Sequence, residues 1–145
     1  MDYLVDTNIA LRRVLVNDPA HLEIKRALDA LLIRGERVAI TAQILLEFQS
    51  LATRPLSANG LGMTTLEANS QAHVIEAIFP FLDETPSVYM NWRMLMHRYD
   101  IRGRQVYDAR LVAVMLAHGY THILTANADH FRRFSEITVV EPKDV

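Results

Sequence analysis

Apolar residues follow two rhythms along this chain. Tyr3-Leu4-Val5, Arg37-Val38-Ala39-Ile40-Thr41, Ile123-Leu124-Thr125 and Ile137–Val140 are short, largely apolar and rich in β-branched residues, and the first three stop at polar residues, the pattern of buried strands. Between them, apolar residues recur at helical spacing. Asp18-Pro19 supplies an N-cap and a first-turn proline for a helix running through Ala27, Leu28, Leu31 and Leu32 to Gly35. A second helix spans about Ile44 to Ala52, and Arg54 to Gly62, with Pro55, Asn59, Gly60 and Gly62, is a loop. Thr64 and Glu67 have capping-box spacing and open a helix to about Ile78. Pro80 and Pro86 bracket a break, and Val88, Trp92, Leu95 and Tyr99 then share one helical face. After a loop from Ile101 to Gln105, Val106 to His118 forms a helix closed by Gly119. Asp6-Thr7-Asn8 reads as a polar turn ending the first strand.

Strands alternating with helices imply an α/β fold with a short, mostly parallel central sheet covered on both faces. In such sheets ligands bind beyond the carboxyl ends of the strands, where Asp6 and the segment from Thr125 to Asp129 fall. The length of 145 residues fits a single domain over residues 1–145. Composition mainly excludes. With 15 Lys+Arg against 17 Asp+Glu, the net charge of −2 rules out gripping nucleic acid by bulk charge. No cysteine means no disulfide, thiolate zinc site or cysteine nucleophile. Acidic residues arrive too early for a signal peptide and no apolar run would cross a bilayer, so a soluble, cytoplasmic protein without membrane contact is expected.

Three carboxylates sit where a solvated surface would not require them. Asp6 follows a buried strand, Glu47 lies within the apolar Ile44-Leu45-Leu46-Glu47-Phe48, and Asp108 opens a helix; Asn127 and Asp129 follow the late strand. Carboxylates gathered in a cleft repel one another unless a cation joins them, and hard oxygen ligands select Mg²⁺ or Mn²⁺. Such an ion supports hydrolysis of a phosphate ester. Removing charge at Asp6 or Asp108 is then expected to preserve or raise stability. Singly, each acid has a plainer role: an Asx-turn for Asp6, helix-dipole stabilisation for Asp108, a buried ion pair with an Arg for Glu47, an N-cap for Asp129.

Taken together, Leu4-Val5-Asp6-Thr7-Asn8, Glu47, Tyr107-Asp108-Ala109-Arg110-Leu111 and Leu124-Thr125-Ala126-Asn127 leading to Phe131 resemble the PIN-domain family, in particular the VapC-like ribonuclease toxins. The resemblance implies a three-layer α/β/α fold. It makes Asp6 and Asp108 the principal Mg²⁺ ligands, with Mn²⁺ able to substitute, and gives Glu47 the attacking water. It also implies an RNA substrate and a VapB-like antitoxin partner. The fourth acid departs from the pattern: where the family usually carries an acid before the Phe, or an Asp two residues after the Thr, this chain has His130 and Asn127. Asp129, offset by one, is expected to serve as the fourth catalytic acid, with Thr7, Asn8, Thr125 and Asn127 supporting the site.

Between Arg93 and Arg110 lie five Arg and two Asp. Arg98, Arg102, Arg104 and Arg110 are therefore expected to grip RNA phosphates, the plainer reading being a solvated face paired to Asp100. None of the six His has metal-ligand spacing, and Trp92, Met94, Met96 and Met115 read as packing. The aliphatic faces of the helices beginning at Asp18 and Thr64 exceed one small core, which favours a homodimer or a bound antitoxin segment. The contrasting expectation is a non-catalytic PIN-like module binding RNA or protein through the same cleft.

Overall fold

The structure is a computed structural model describing residues 1–145. It contains β1 (Asp2–Val5), α1 (Thr7–Val14), α2 (His21–Ile33), β2 (Arg37–Thr41), α3 (Ala42–Thr53), α4 (Thr65–Ile78), β3 (Phe81–Leu82), α5 (Pro86–Tyr99), α6 (Gln105–His118), β4 (His122–Leu124) and β5 (Thr138–Val140), with single 3₁₀ turns at Leu56–Ala58, Ala128–His130 and Pro142–Asp144. The sheet order is β3-β2-β1-β4-β5, and every neighbouring pair is parallel. Leu4 pairs with Ala39 on one side and Ile123 on the other.

From β1 the chain first builds outward through β2 to β3, then crosses back to place β4 and β5 on the opposite side of β1. Right-handed crossovers put the helices of these two halves on opposite faces, giving the expected three layers. Packing agrees: α1 touches α2, α3 and α4, while α5 lies along α6. The strand order reverses between β1 and β4, so a crevice opens there at the carboxyl ends of the strands.

Leu4, Val5, Ile40, Ile123 and Leu124 are fully buried between the layers, with Phe48, Phe79, Phe131 and Phe134 filling the largest volumes. Phe131 fixes the loop after β4, and truncating such a ring to Ala costs about 3–5 kcal/mol. Capping is as expected at α4, where Thr64 and Glu67 form both halves of the box, and at α6, which ends on Gly119 at φ 69°.

Four details differ from the sequence pattern. Asp6-Thr7-Asn8 is no free turn: Asp6 caps α1, which starts at once with Thr7. Asp18 accepts from the Ala20 N–H, forming a turn ahead of α2 instead of capping it. The break between Pro80 and Pro86 holds the two-residue strand β3, paired to Ile40 and Thr41. The sheet is parallel throughout.

Candidate acidic active site

Asp6 leaves the end of β1 at the strand-order reversal and is 8% exposed. Its Oδ1 accepts the Thr7 N–H at 2.7 Å, and its Oδ2 accepts Asn8 Nδ2 at 2.7 Å and Thr125 Oγ1 at 2.6 Å. The Asn8 amide reaches on with its oxygen to the Ala126 N–H, and Thr125 Oγ1 accepts the Asn127 N–H. Three residues expected to support the site thus clamp Asp6 and tie the segment after β4 to α1. Burial pushes the Asp6 carboxyl above its ordinary range and the charge of Glu47 adds to the rise, while the hydrogen bonds from Thr125, Thr7 and Asn8 oppose it.

Glu47 comes from the second turn of α3 and is half-buried. Its Oε2 accepts Thr7 Oγ1 and its Oε1 accepts Gln43 Nε2, both at 2.7 Å. Gln43 sits one helical turn earlier and is buried. Its amide also donates to the Tyr107 carbonyl at 3.0 Å, and its oxygen accepts Arg110 Nη1 at 2.9 Å. The other arm of Arg110 meets Glu84 Oε1 at 2.7 Å. No arginine pairs with Glu47 directly; Arg110 reaches it through Gln43.

Asp108, in the first turn of α6, is the third acid. Burial pushes its carboxyl up to about 6, the charges of Asp6 and Glu47 adding to the rise and those of His130 and Arg104 opposing it. Asp6 feels the charge of Glu47 and Asp108 feels those of both Asp6 and Glu47, so the acids from β1, α3 and α6 share one electrostatic site. His130 Nδ1 lies 3.7 Å from Asp108 Oδ2, beyond hydrogen-bond reach.

The donor set suits a hard divalent cation. Asp6 has three of about four acceptor positions filled and Glu47 two, leaving each an open lone pair held in a fixed direction, the arrangement outer hydrogen bonds give to metal ligands. No three or more carboxylate or imidazole side chains come together to hold an ion by themselves; Mg²⁺ keeps several waters and takes one or two carboxylates.

Other expected residues lie elsewhere. Asp129 projects into solvent, 87% exposed, and pairs with Arg132 at 3.1 Å; it neither caps the 3₁₀ turn nor contacts the three acids. Asn127 caps that turn through its backbone. Arg98 pairs with Glu136 and Arg102 with Asp100, while Arg110 is held within the Glu47 network. Arg104 is the one exposed guanidinium of the four that faces Asp108 without an acidic partner of its own. Gln43 and Glu84 were not singled out by sequence, and His130 only as the residue standing in place of an acid. Gln43 does carry a signal, standing four residues before Glu47 on one face of a helix.

Over residues 3–137 the chain matches the PIN domain. No curated protein matches by sequence. Among solved structures it is similar to VapBC2 from Rickettsia felis bound to a DNA fragment from their promoter, with TM-score 0.74 and 16% identity over 97% of this chain and 98% of that one. It is also similar to VapBC-1 from nontypeable Haemophilus influenzae, with TM-score 0.70 and 14% identity over 99% of both chains. A toxin–antitoxin complex from Klebsiella pneumoniae gives TM-score 0.67 and 20% identity, again over 99% of both.

Proposed function

The chain belongs to the PIN-domain family, and from that premise we propose that it is a metal-dependent endoribonuclease, the toxin of a toxin–antitoxin pair. One observation carries the reading: Asp6, Glu47 and Asp108, from three elements distant in sequence, bear on one another at the reversal of strand order, where an α/β sheet binds its ligand.

When bound, Mg²⁺ or Mn²⁺ supplies a more acidic water and neutralises charge on the phosphate. Asp6 and Asp108 would hold the ion. Glu47, fixed by Thr7 and Gln43, orients the attacking water and accepts its proton. Arg104 holds a phosphate of the RNA backbone beside the acids. Water adds to phosphorus in line as the bond to the 3′-oxygen breaks, and that oxygen takes a proton from bulk water, leaving a 5′-phosphate and a 3′-hydroxyl.

The partner assignment draws support from surface chemistry. Leu22 and Ile33 on α2 and Leu66 on α4, the two helices whose faces exceed the needs of the core, expose apolar side chains, and Leu46 does so on α3. A VapB-like antitoxin segment and a second copy of the chain are the proposed occupants. No helix is long and apolar enough to cross a membrane.

The test is cleavage of RNA by the purified protein with Mg²⁺, with Mn²⁺ and with EDTA, followed by mapping of the product ends. Metal-dependent cleavage leaving 5′-phosphates is expected. Products ending in 2′,3′-cyclic phosphate overturn the mechanism, because that chemistry uses the ribose hydroxyl. RNA binding without cleavage under every condition favours the non-catalytic module.

A further inference from the structure

α6 opens with a tyrosine that the core does not use. Tyr107 stands directly before Asp108 and is 58% exposed, whereas Val106 packs against the core. The backbone here is pinned from two sides: the Trp92 indole N–H donates to the Val106 carbonyl at 3.1 Å, and Gln43 Nε2 donates to the Tyr107 carbonyl at 3.0 Å. A large aromatic ring is thus held in water on a rigid helix end, next to an acid of the site.

The indole that pins this backbone continues the aromatic surface onto α5. Trp92 packs against the core yet stays partly exposed. Tyr89, one turn earlier and 63% exposed, has its ring centroid 6.2 Å from that of Trp92. Guanidinium groups border these rings. Arg93 Cζ stands 5.9 Å from the Trp92 ring centroid, and Arg104 caps α6 three residues before Tyr107. Arg98, Arg102 and Arg110 are engaged by acids; Arg93 and Arg104 are not.

We propose that Tyr107 and the Tyr89–Trp92 pair form a stacking platform for unpaired RNA bases beside the acids, with Arg93 and Arg104 meeting the phosphates, so that the protein selects single strands. The inference rests on the ribonuclease reading above. One reason is charge: a chain of net −2 cannot hold RNA by bulk attraction, and two free guanidiniums reach few phosphates. Stacking supplies what charge does not, because every base has a face that an aromatic ring can cover. The other reason is access. Bases inside an A-form duplex are already stacked and paired, so only a loop, a bulge or an end can offer one to Tyr107. The two unpaired cations favour a polyanion over a second copy of this chain as the occupant.

Trp92 is the sole tryptophan, so its fluorescence reports directly on the platform. The experiment titrates the full chain in EDTA with an unstructured oligoribonucleotide, an abasic strand of the same length and a duplex, for wild type, Tyr107→Leu, Tyr89→Leu and Tyr107→Phe. The single strand is expected to quench Trp92, and the abasic strand and duplex to bind about fivefold or more weakly without quenching, the lower end of what one base–aromatic stack contributes. Both Leu variants should lose about fivefold or more in affinity for the single strand with the salt slope unchanged, while Tyr107→Phe stays within about twofold of wild type. If the abasic strand binds as well as the intact one, or both Leu variants bind like wild type, the platform is overturned; the ribonuclease reading stands if wild type still cleaves RNA with Mg²⁺ or Mn²⁺. If wild type neither binds nor cleaves RNA, both are overturned, and a dimer broken by Tyr89→Leu would then make the surface a contact between copies.

Discussion

Thr125 donates its hydroxyl to Asp6 Oδ2 across 2.6 Å, joining the carboxyl ends of the two strands between which the sheet reverses its order. Both residues are buried, so the bond is made away from water and to a group that carries charge. Replacing Thr125 by the isosteric Val is expected to cost about 1.5–3 kcal/mol at pH 7, the range for a hydrogen bond to a charged partner. Thr41, at the end of β2, is the control: its buried hydroxyl has no partner. Thr41→Val should be neutral or stabilising. Urea unfolding of both variants checks this, and equal losses would show that the Thr125 bond contributes nothing specific.

Charge alone predicts that Asp6→Asn and Asp108→Asn both leave the protein at least as stable; the hydrogen bonds separate them. All the groups reaching Asp6 are donors, so an amide there sets its NH₂ against at least one of them. Asp108 accepts none, so its neutralisation removes the cost of burying a charge and the repulsion from Asp6 and Glu47, which together outweigh the lost attraction of His130 and Arg104. The folded carboxyl at about 6 lies above the ordinary value of 3.8, so between these pH values the native state binds more protons than the unfolded chain. Stability attributable to Asp108 is therefore greatest near pH 4 and lost as pH rises through about 6. The loss is on the order of 2 kcal/mol once partial exposure is allowed for. Metal-free Asp108→Asn should be more stable than wild type at pH 7 by about that amount, should match it near pH 4, and should exceed Asp6→Asn at neutral pH. Both should lose RNA cleavage. Thermal unfolding from pH 4 to 8 decides it.

The strands, most helices and the three central acids could be read from the sequence because each rests on local signals: a short apolar run, a capping pair, a carboxylate at the end of a strand. What escaped depends on distance or ambiguity. Asp6-Thr7-Asn8 has the chemistry of a turn and of an N-cap alike, and only the fold decides that α1 follows without a gap. β3 has two residues, too few for any period. The Glu84–Arg110–Gln43–Glu47 chain joins α6 to α3 across more than sixty residues, so the arginine expected to contact RNA is engaged by Gln43 and Glu84, which no local signal announces. That Asp129 turns to Arg132 while His130 turns toward Asp108 depends on which way a single 3₁₀ turn faces, a matter of one residue in register.

That turn makes Asp129 testable as the expected fourth acid. Its carboxylate is 87% exposed and paired with Arg132, and an exposed pair of this kind contributes little. Asp129→Ala is expected to leave the Mg²⁺ and Mn²⁺ dependence of cleavage superimposable on wild type, with stability changed by less than about 0.5 kcal/mol. A weakened metal dependence would return Asp129 to the site.

The arginines divide by what already engages them, and kinetics can read the division. Arg104 is exposed, faces Asp108 and has no acidic partner, so its guanidinium is free for a phosphate. Arg104→Ala is expected to raise KM several-fold with kcat little changed, and to lower the dependence of log affinity on log salt by about 0.7, one phosphate contact to a single strand. Arg98→Ala loses a pair to the largely buried Glu136 and Arg102→Ala an exposed pair to Asp100, and neither should move either constant by more than about twofold. Arg110 and Gln43 act on Glu47 instead. Gln43→Ala frees one carboxylate oxygen from its donor, and Arg110→Ala removes the anchor that fixes the Gln43 amide. Both should lower kcat about tenfold or more while leaving KM and the salt slope near wild type, because a misdirected base is felt in the transition state and not in RNA binding. Gln43→Glu, which cannot donate to Glu47 and adds a charge beside it, should be worse than Gln43→Ala. If Arg110→Ala instead raises KM and flattens the salt slope as Arg104→Ala does, Arg110 touches RNA and the Gln43 relay is incidental.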